Sequence, residues 1–68
     1  MDLVVETNGR LIPIEVKASA TPNPGMASGI AAFRRELGAK AAKGFVVHTG
    51  RELLPLTSDA VAVPFGRL

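Results

Sequence analysis

The chain has 68 residues, which allows one domain at most, and a chain of that length buries only about 60% of its unfolded surface. It contains no cysteine, which excludes a disulfide scaffold and a thiolate-bound metal, while a hydrophobic content of 47% excludes a disordered polar chain. The formal charge of +2 permits an anionic polymer as partner without requiring one, and no apolar run approaches the roughly 20 residues that cross a bilayer.

Asp2-Leu3-Val4-Val5-Glu6 reads as a first strand that begins directly after Met1. A sheet entered so abruptly is expected of a fragment or C-terminal piece of a larger protein, and so apolar a short chain is expected to lean on a partner or a second copy. Asn8-Gly9 between two apolar runs signals a type I′ hairpin turn, because both central positions of that turn need positive φ. The second strand runs from Leu11 to Lys17. Pro13 has no amide to donate to a ladder, so its N side is expected to face an open edge or a bulge.

Ala18 to Gly25 carries Ser19, Thr21, Pro22, Asn23 and Pro24 and reads as a loop leading into a helix, with Asn23 as N-cap and Pro24 as first helical residue. Met26, Ile30, Phe33 and Leu37 recur at helical spacing, and Gly38 is a C-terminal stop. Gly29 is expected either to weaken the helix by about 1 kcal/mol relative to alanine or to let it approach the sheet closely. Gly44-Phe45-Val46-Val47-His48 is a short buried strand, and a strand–helix–strand sequence places it parallel to the second strand. Glu52 to Leu56 and Ala60 to Pro64 read as a last pair of strands around Thr57-Ser58-Asp59. The fold class is therefore α/β: an N-terminal β-hairpin, one helix, a parallel third strand and a short C-terminal β-hairpin, in a single domain over residues 1–68.

A two-residue loop at Asn8-Gly9 sets the hairpin register. Thr7 then faces Arg10, Val5 faces Ile12, Leu3 faces Ile14, and Asp2 faces Glu15 with Lys17 beside them. Leu3, Val5, Ile12, Ile14 and Val16 fall on the opposite face, ready for the helix stripe. Two carboxylates opposed across a strand pair repel. A hard divalent cation compensates best, since Mg²⁺ takes one or two carboxylates plus waters. Asp2 and Glu15 are thus candidate metal ligands, with the backbone carbonyl of Val16 as a further oxygen. Asp2, Glu15 and Lys17 are the candidate catalytic residues, the lysine orienting a metal-bound water or balancing charge on phosphoryl oxygens. Glu15 and Lys17 also read as a plain solvated pair on a strand face.

Asp-Leu-Val-Val-Glu, then Leu-Ile-Pro-Ile-Glu-Val-Lys-Ala-Ser-Ala-Thr-Pro, a helix, and Gly-Phe-Val-Val-His-Thr-Gly together resemble a known domain. It is the C-terminal domain of unknown function that follows AAA-type ATPase modules in bacteria and archaea. That domain is similar to the PD-(D/E)XK, restriction-endonuclease-like nucleases. The resemblance spans nearly the whole chain and is most specific over Ile12 to Pro22. It implies a partial restriction-endonuclease-like core in which Asp2, Glu15 and Lys17 match the catalytic Asp, Glu and Lys. Two departures stand out. The superfamily core opens with a helix and a strand that precede the Asp strand, and the signature proline is replaced by Met1. Activity is expected to be weak or lost.

His48 at a strand end is a candidate base or phosphate contact, though a lone histidine there also reads as structural. Arg34, Arg35, Lys40 and Lys43 are candidate phosphate contacts or a solvated helix face. With three Phe, no Tyr or Trp and no aromatic interleaved among these basic residues, a base-stacking platform is not expected. No Gly-rich phosphate loop is present, and Ser19 has no histidine at motif spacing. The functional expectation is a nuclease-like, Mg²⁺-binding module acting on nucleic acid in the cytoplasm. The alternative is a non-catalytic interaction or oligomerisation domain of an ATPase.

Overall fold

A computed structural model describes all of residues 1–68. The elements are β1 (Leu3–Thr7), β2 (Arg10–Val16), α1 (Ser28–Leu37), β3 (Gly44–His48), β4 (Leu54–Thr57) and β5 (Ala60–Pro64). Short 3₁₀ turns occupy Pro24–Ala27, Gly38–Lys40 and Phe65–Arg67. The five strands form one mixed sheet in the order β1-β2-β3-β5-β4.

The hairpin forms as its turn chemistry dictates. Asn8 and Gly9 both have positive φ, 52° and 79°, and the β1–β2 register runs from Thr7↔Arg10 to Leu3↔Ile14. β3 lies parallel to β2, and β5 runs parallel to β3 with Gly44 opposite Ala60 and His48 opposite Pro64. β4 pairs antiparallel with β5 on the outer edge. The last hairpin therefore inserts its second strand, not its first, next to β3.

Pro13 sits within the sheet interior, and a bulge accommodates it. On the β3 side the pairing passes from Leu11↔Ala41 to Ile14↔Phe45, so three steps along β2 meet four along the facing chain. The missing amide of Pro13 faces this irregular stretch, where no ladder bond is required of it.

The helix begins with a 3₁₀ turn rather than a full α turn. Asn23 is extended and makes no side-chain cap bond; its carbonyl instead accepts the Met26 amide at 3.0 Å. Gly38 ends the helix at φ 60°.

The helix takes the sheet face opposite to the expected one. The helix stripe does not cover Leu3, Val5, Ile12, Ile14 and Val16. It packs on the opposite face, where Ile30 is fully buried with Ala27, Val46 and Ala60, and where Pro13 is also buried. A Cβ on Gly44 would meet the Pro13 carbonyl oxygen at 2.5 Å and Ile30 Cγ2 at 2.8 Å, which places the helix over the Gly44 and Pro13 side. Side-chain size explains the choice. The helix side of β3 and β5 offers Gly44, Val46, Ala60 and Ala62, small enough for a helix to seat closely. The other side offers Phe45, Val47, Val61 and Val63.

The second sheet face is left without a covering layer. Leu3, Ile14, Val16, Phe45, Val47 and Val63, with Phe65 and Leu68 after the last strand, line a wholly apolar groove of about 410 Å³. Val16 is 55% exposed, Phe65 67% and Leu68 77%.

Candidate functional site

The acid pair lies at the end of the β1–β2 ladder. Regular pairing stops at Leu3↔Ile14, and the Asp2 amide donates to the Ile14 carbonyl at 3.2 Å. Beyond that point the Asp2 side chain replaces the backbone: its Oδ2 accepts the Val16 amide at 2.7 Å. A carboxylate on a backbone amide is a charge-assisted bond and a short one. The Val16 carbonyl shares this strand edge, because amide and carbonyl of one strand residue point the same way.

Glu15 occupies the helix face of β2. It sits opposite Val46 of β3 and beside the first turn of α1, with Oε1 3.8 Å from where a Gly29 Cβ would stand. The positive end of the helix dipole favours a carboxylate there. A bare glycine at position 29 leaves room for it. Two ammonium groups flank Glu15: Lys17 Nζ at 3.5 Å from Oε2 and the Met1 amine at 3.6 Å from Oε1. The Glu15 side chain is only 14% exposed.

The fold thus brings Asp2, Glu15, Val16 and Lys17 to one end of two adjacent strands. The ladder ends at Leu3↔Ile14 and does not include the expected Asp2–Glu15 pair; each acid has its own partner, an amide on Asp2 and ammonium groups on Glu15. The donor set is hard oxygen with one carboxylate oxygen of Asp2 still unspent, which suits Mg²⁺ in kind. A dication must compete with the two ammonium groups for Glu15. No cluster of three or more His, Cys, Asp or Glu side chains occurs in the molecule.

His48 is a structural residue. It is 1% exposed, Nε2 donates to the Glu52 carbonyl at 2.8 Å, and Nδ1 accepts the Gly50 amide at 3.0 Å. The Gly50 amide has a proton to give, so Nδ1 must carry the lone pair, which fixes the tautomer. Both ring nitrogens are spent on closing the β3–β4 loop, and neither faces a substrate.

The basic residues divide. Arg34 Nη1 pairs with Asp59 Oδ1 at 3.0 Å and reaches the Ser58 carbonyl at 3.4 Å, tying the end of α1 to the β4–β5 turn. Its Nε is buried with no partner. Arg10 donates to the Ala41 carbonyl at 3.3 Å. Lys40 and Lys43 remain exposed. Arg10 and Asp59 were not singled out from the sequence, and no local signal marks them. Asp59 lies 25 residues from Arg34, so only the fold makes them neighbours.

No helix is long and apolar enough to cross a membrane. No curated protein and no solved structure matches the chain. A family model matches it from end to end, over residues 1–68, and the chain therefore belongs to the family DUF4143, a domain of unknown function.

Proposed function

We propose that this domain is a nuclease-like module of the PD-(D/E)XK type. It resembles the domain that follows AAA-type ATPase modules, works in the cytoplasm, binds Mg²⁺ through Asp2 and Glu15, and meets nucleic acid. The observation that carries the reading is the junction of Asp2, Glu15 and Lys17 at one end of the β1–β2 pair, with Lys17 Nζ 3.5 Å from Glu15. A bound Mg²⁺ would supply an acidified water and charge stabilisation at a phosphoryl oxygen. The chain's own contributions are the Asp2 and Glu15 oxygens, the Val16 carbonyl, and the Lys17 ammonium as a balancing charge.

Metal binding is tested by melting the chain against Mg²⁺ and Mn²⁺. Metal at about ten times its Kd adds about 1.4 kcal/mol to the native state, which in a domain this small raises the Tm by roughly 6 to 11 °C. The double variant Asp2→Ala, Glu15→Ala is expected to show no rise. An unchanged Tm at millimolar metal in the parent chain rules the site out. A cleavage assay with Lys17→Ala as control then reports whether the site acts on DNA or RNA.

The uncovered sheet face favours a second reading, a non-catalytic interaction or oligomerisation module. Leu3, Val5, Val16, Phe65 and Leu68 are all at least 40% exposed. Together they expose on the order of 500 Å² of apolar surface, near the upper limit for a monomer. The central β2-β3-β5 strands run parallel, and all-parallel sheets have both faces covered. Sedimentation velocity is expected to show association rising with concentration, abolished by Val16→Glu. A chain that stays monomeric throughout the concentration series, with Val16→Glu indistinguishable from it, removes self-association from this reading.

A further inference from the structure

At the other end of β2 from the acid pair, the first residue of the strand, Arg10, meets Arg34 and Arg35 from the last turn of α1 and Asp59 from the β4–β5 turn. These four line one open cavity of about 450 Å³ whose remaining walls are alanine and glycine. The charge collected there is unusual for the molecule. Three of the eight basic residues and one of the six acidic residues line the cavity, so the rest of the chain balances at five against five. The whole formal charge of +2 is therefore concentrated on this one concavity.

Most of the guanidinium donors are unspent. Each guanidinium carries five N–H groups in a planar fork. Arg10 commits one to the Ala41 carbonyl. Arg34 is held by Asp59 and the Ser58 carbonyl through Nη1 alone. Arg35 is exposed and makes no hydrogen bond or ion pair within the protein. The negative end of the α1 dipole also lies here, and the two arginines of the last turn offset it. A third guanidinium arriving from β2 exceeds what that offset needs.

We propose that this cavity is an oxyanion site for a phosphate dianion, either inorganic phosphate or the terminal phosphate of a monoester. Arg10 and Arg35 supply the free forks, and the Asp59 ion pair fixes Arg34 behind them. The class follows from charge and shape. A phosphate monoester carries about −1.5 to −2 at neutral pH, matching the excess of +2. Its oxygens accept paired N–H bonds from planar forks. The site is separate from the acid pair and does not depend on the metal reading.

The test is a titration of the full chain with inorganic phosphate, followed by amide NMR shifts against a chloride series of equal ionic strength. Saturable shifts are expected at Arg10, Gly38, Ala39 and Ala41 with phosphate only. Arg35→Gln is expected to weaken binding by about tenfold, the effect of one charge-assisted contact. Arg51→Gln removes an exposed charge in the β3–β4 loop and is expected to change nothing. Equal shifts in chloride, parental affinity in Arg35→Gln, or equal weakening by Arg51→Gln each overturn the site. Two oligonucleotides, one with a 5′-phosphate and one with a 5′-hydroxyl, identify the source. Displacement of phosphate by the first alone assigns a terminal phosphate, and displacement by neither assigns free phosphate. Equal displacement by both shows that diesters suffice and overturns the dianion assignment.

Discussion

Replacing His48 with leucine is expected to destabilise the domain by about 3 kcal/mol, although leucine fills a similar volume with apolar atoms. The imidazole accepts the Gly50 amide at Nδ1 and donates to the Glu52 carbonyl at Nε2. Leucine strands both backbone groups at a site that is 1% exposed in the parent, and each partly buried orphan costs about 1–3 kcal/mol. The loop has no spare room to adjust: a Cβ at Gly50 would collide with the Ala20 carbonyl group, and the Thr49 amide is already bound to the Ser19 carbonyl at 2.9 Å. In a domain of this size the loss corresponds to a Tm lower by roughly 10 to 25 °C. Urea denaturation monitored by circular dichroism measures it. A loss under about 0.5 kcal/mol, the range of an ordinary surface substitution, would show that the histidine is not the staple of this loop.

Gly44→Ala is the second large effect, and here two physical terms oppose each other. Alanine restricts the unfolded chain and by that route alone stabilises by about 0.4–1 kcal/mol. In the folded state the new Cβ meets the Pro13 carbonyl oxygen at 2.5 Å, Ile30 Cγ2 at 2.8 Å and Pro13 Cγ at 2.9 Å. The first of these is backbone and the last belongs to a ring, so neither rotates away. Overpacking of this kind costs about 1–3 kcal/mol and exceeds the entropic gain. The expected net change is a loss of about 1.3 kcal/mol, read from the same urea midpoints. The bulge opposite Pro13 opens further to make room, so the amides of Leu11 and Ala42 are expected to exchange faster. A neutral or stabilising Gly44→Ala would mean that β3 does not approach Pro13 as closely as described.

These two residues show where the sequence was a good guide and where it was silent. Both were visible as parts of a strand, Gly44-Phe45-Val46-Val47-His48, and that strand forms. Nothing in the local pattern reveals that Gly44 is pressed against Pro13 or that His48 holds its own loop. The candidate site divides in the same way. The Asn8-Gly9 turn set the register of the hairpin as far as Leu3↔Ile14, and with it the placement of Asp2, Glu15 and Lys17 near one strand end, while the expected Asp2–Glu15 pair is not part of the ladder. The Asp2 carboxylate bound to the Val16 amide, and the helix start beside Glu15, were not legible, because both depend on how the ladder frays and where α1 docks.

Short-range chemistry was enough for the turn, the registered hairpin, the helix stripe, the helix stop at Gly38 and the parallel return of β3. Each rests on φ preferences, side-chain periodicity or the order of elements along the chain. Three things were decided only in three dimensions. They are which apolar sheet face the helix took, the insertion of β5 between β3 and β4, and the gathering of Arg10, Arg34, Arg35 and Asp59 around one cavity. A period of two marks both faces of a strand alike. The choice between them depended on the bulk of residues brought together from distant strands, Gly44, Ala60 and Ala62 on one side and Phe45, Val61 and Val63 on the other, a quantity that does not exist until those strands have paired.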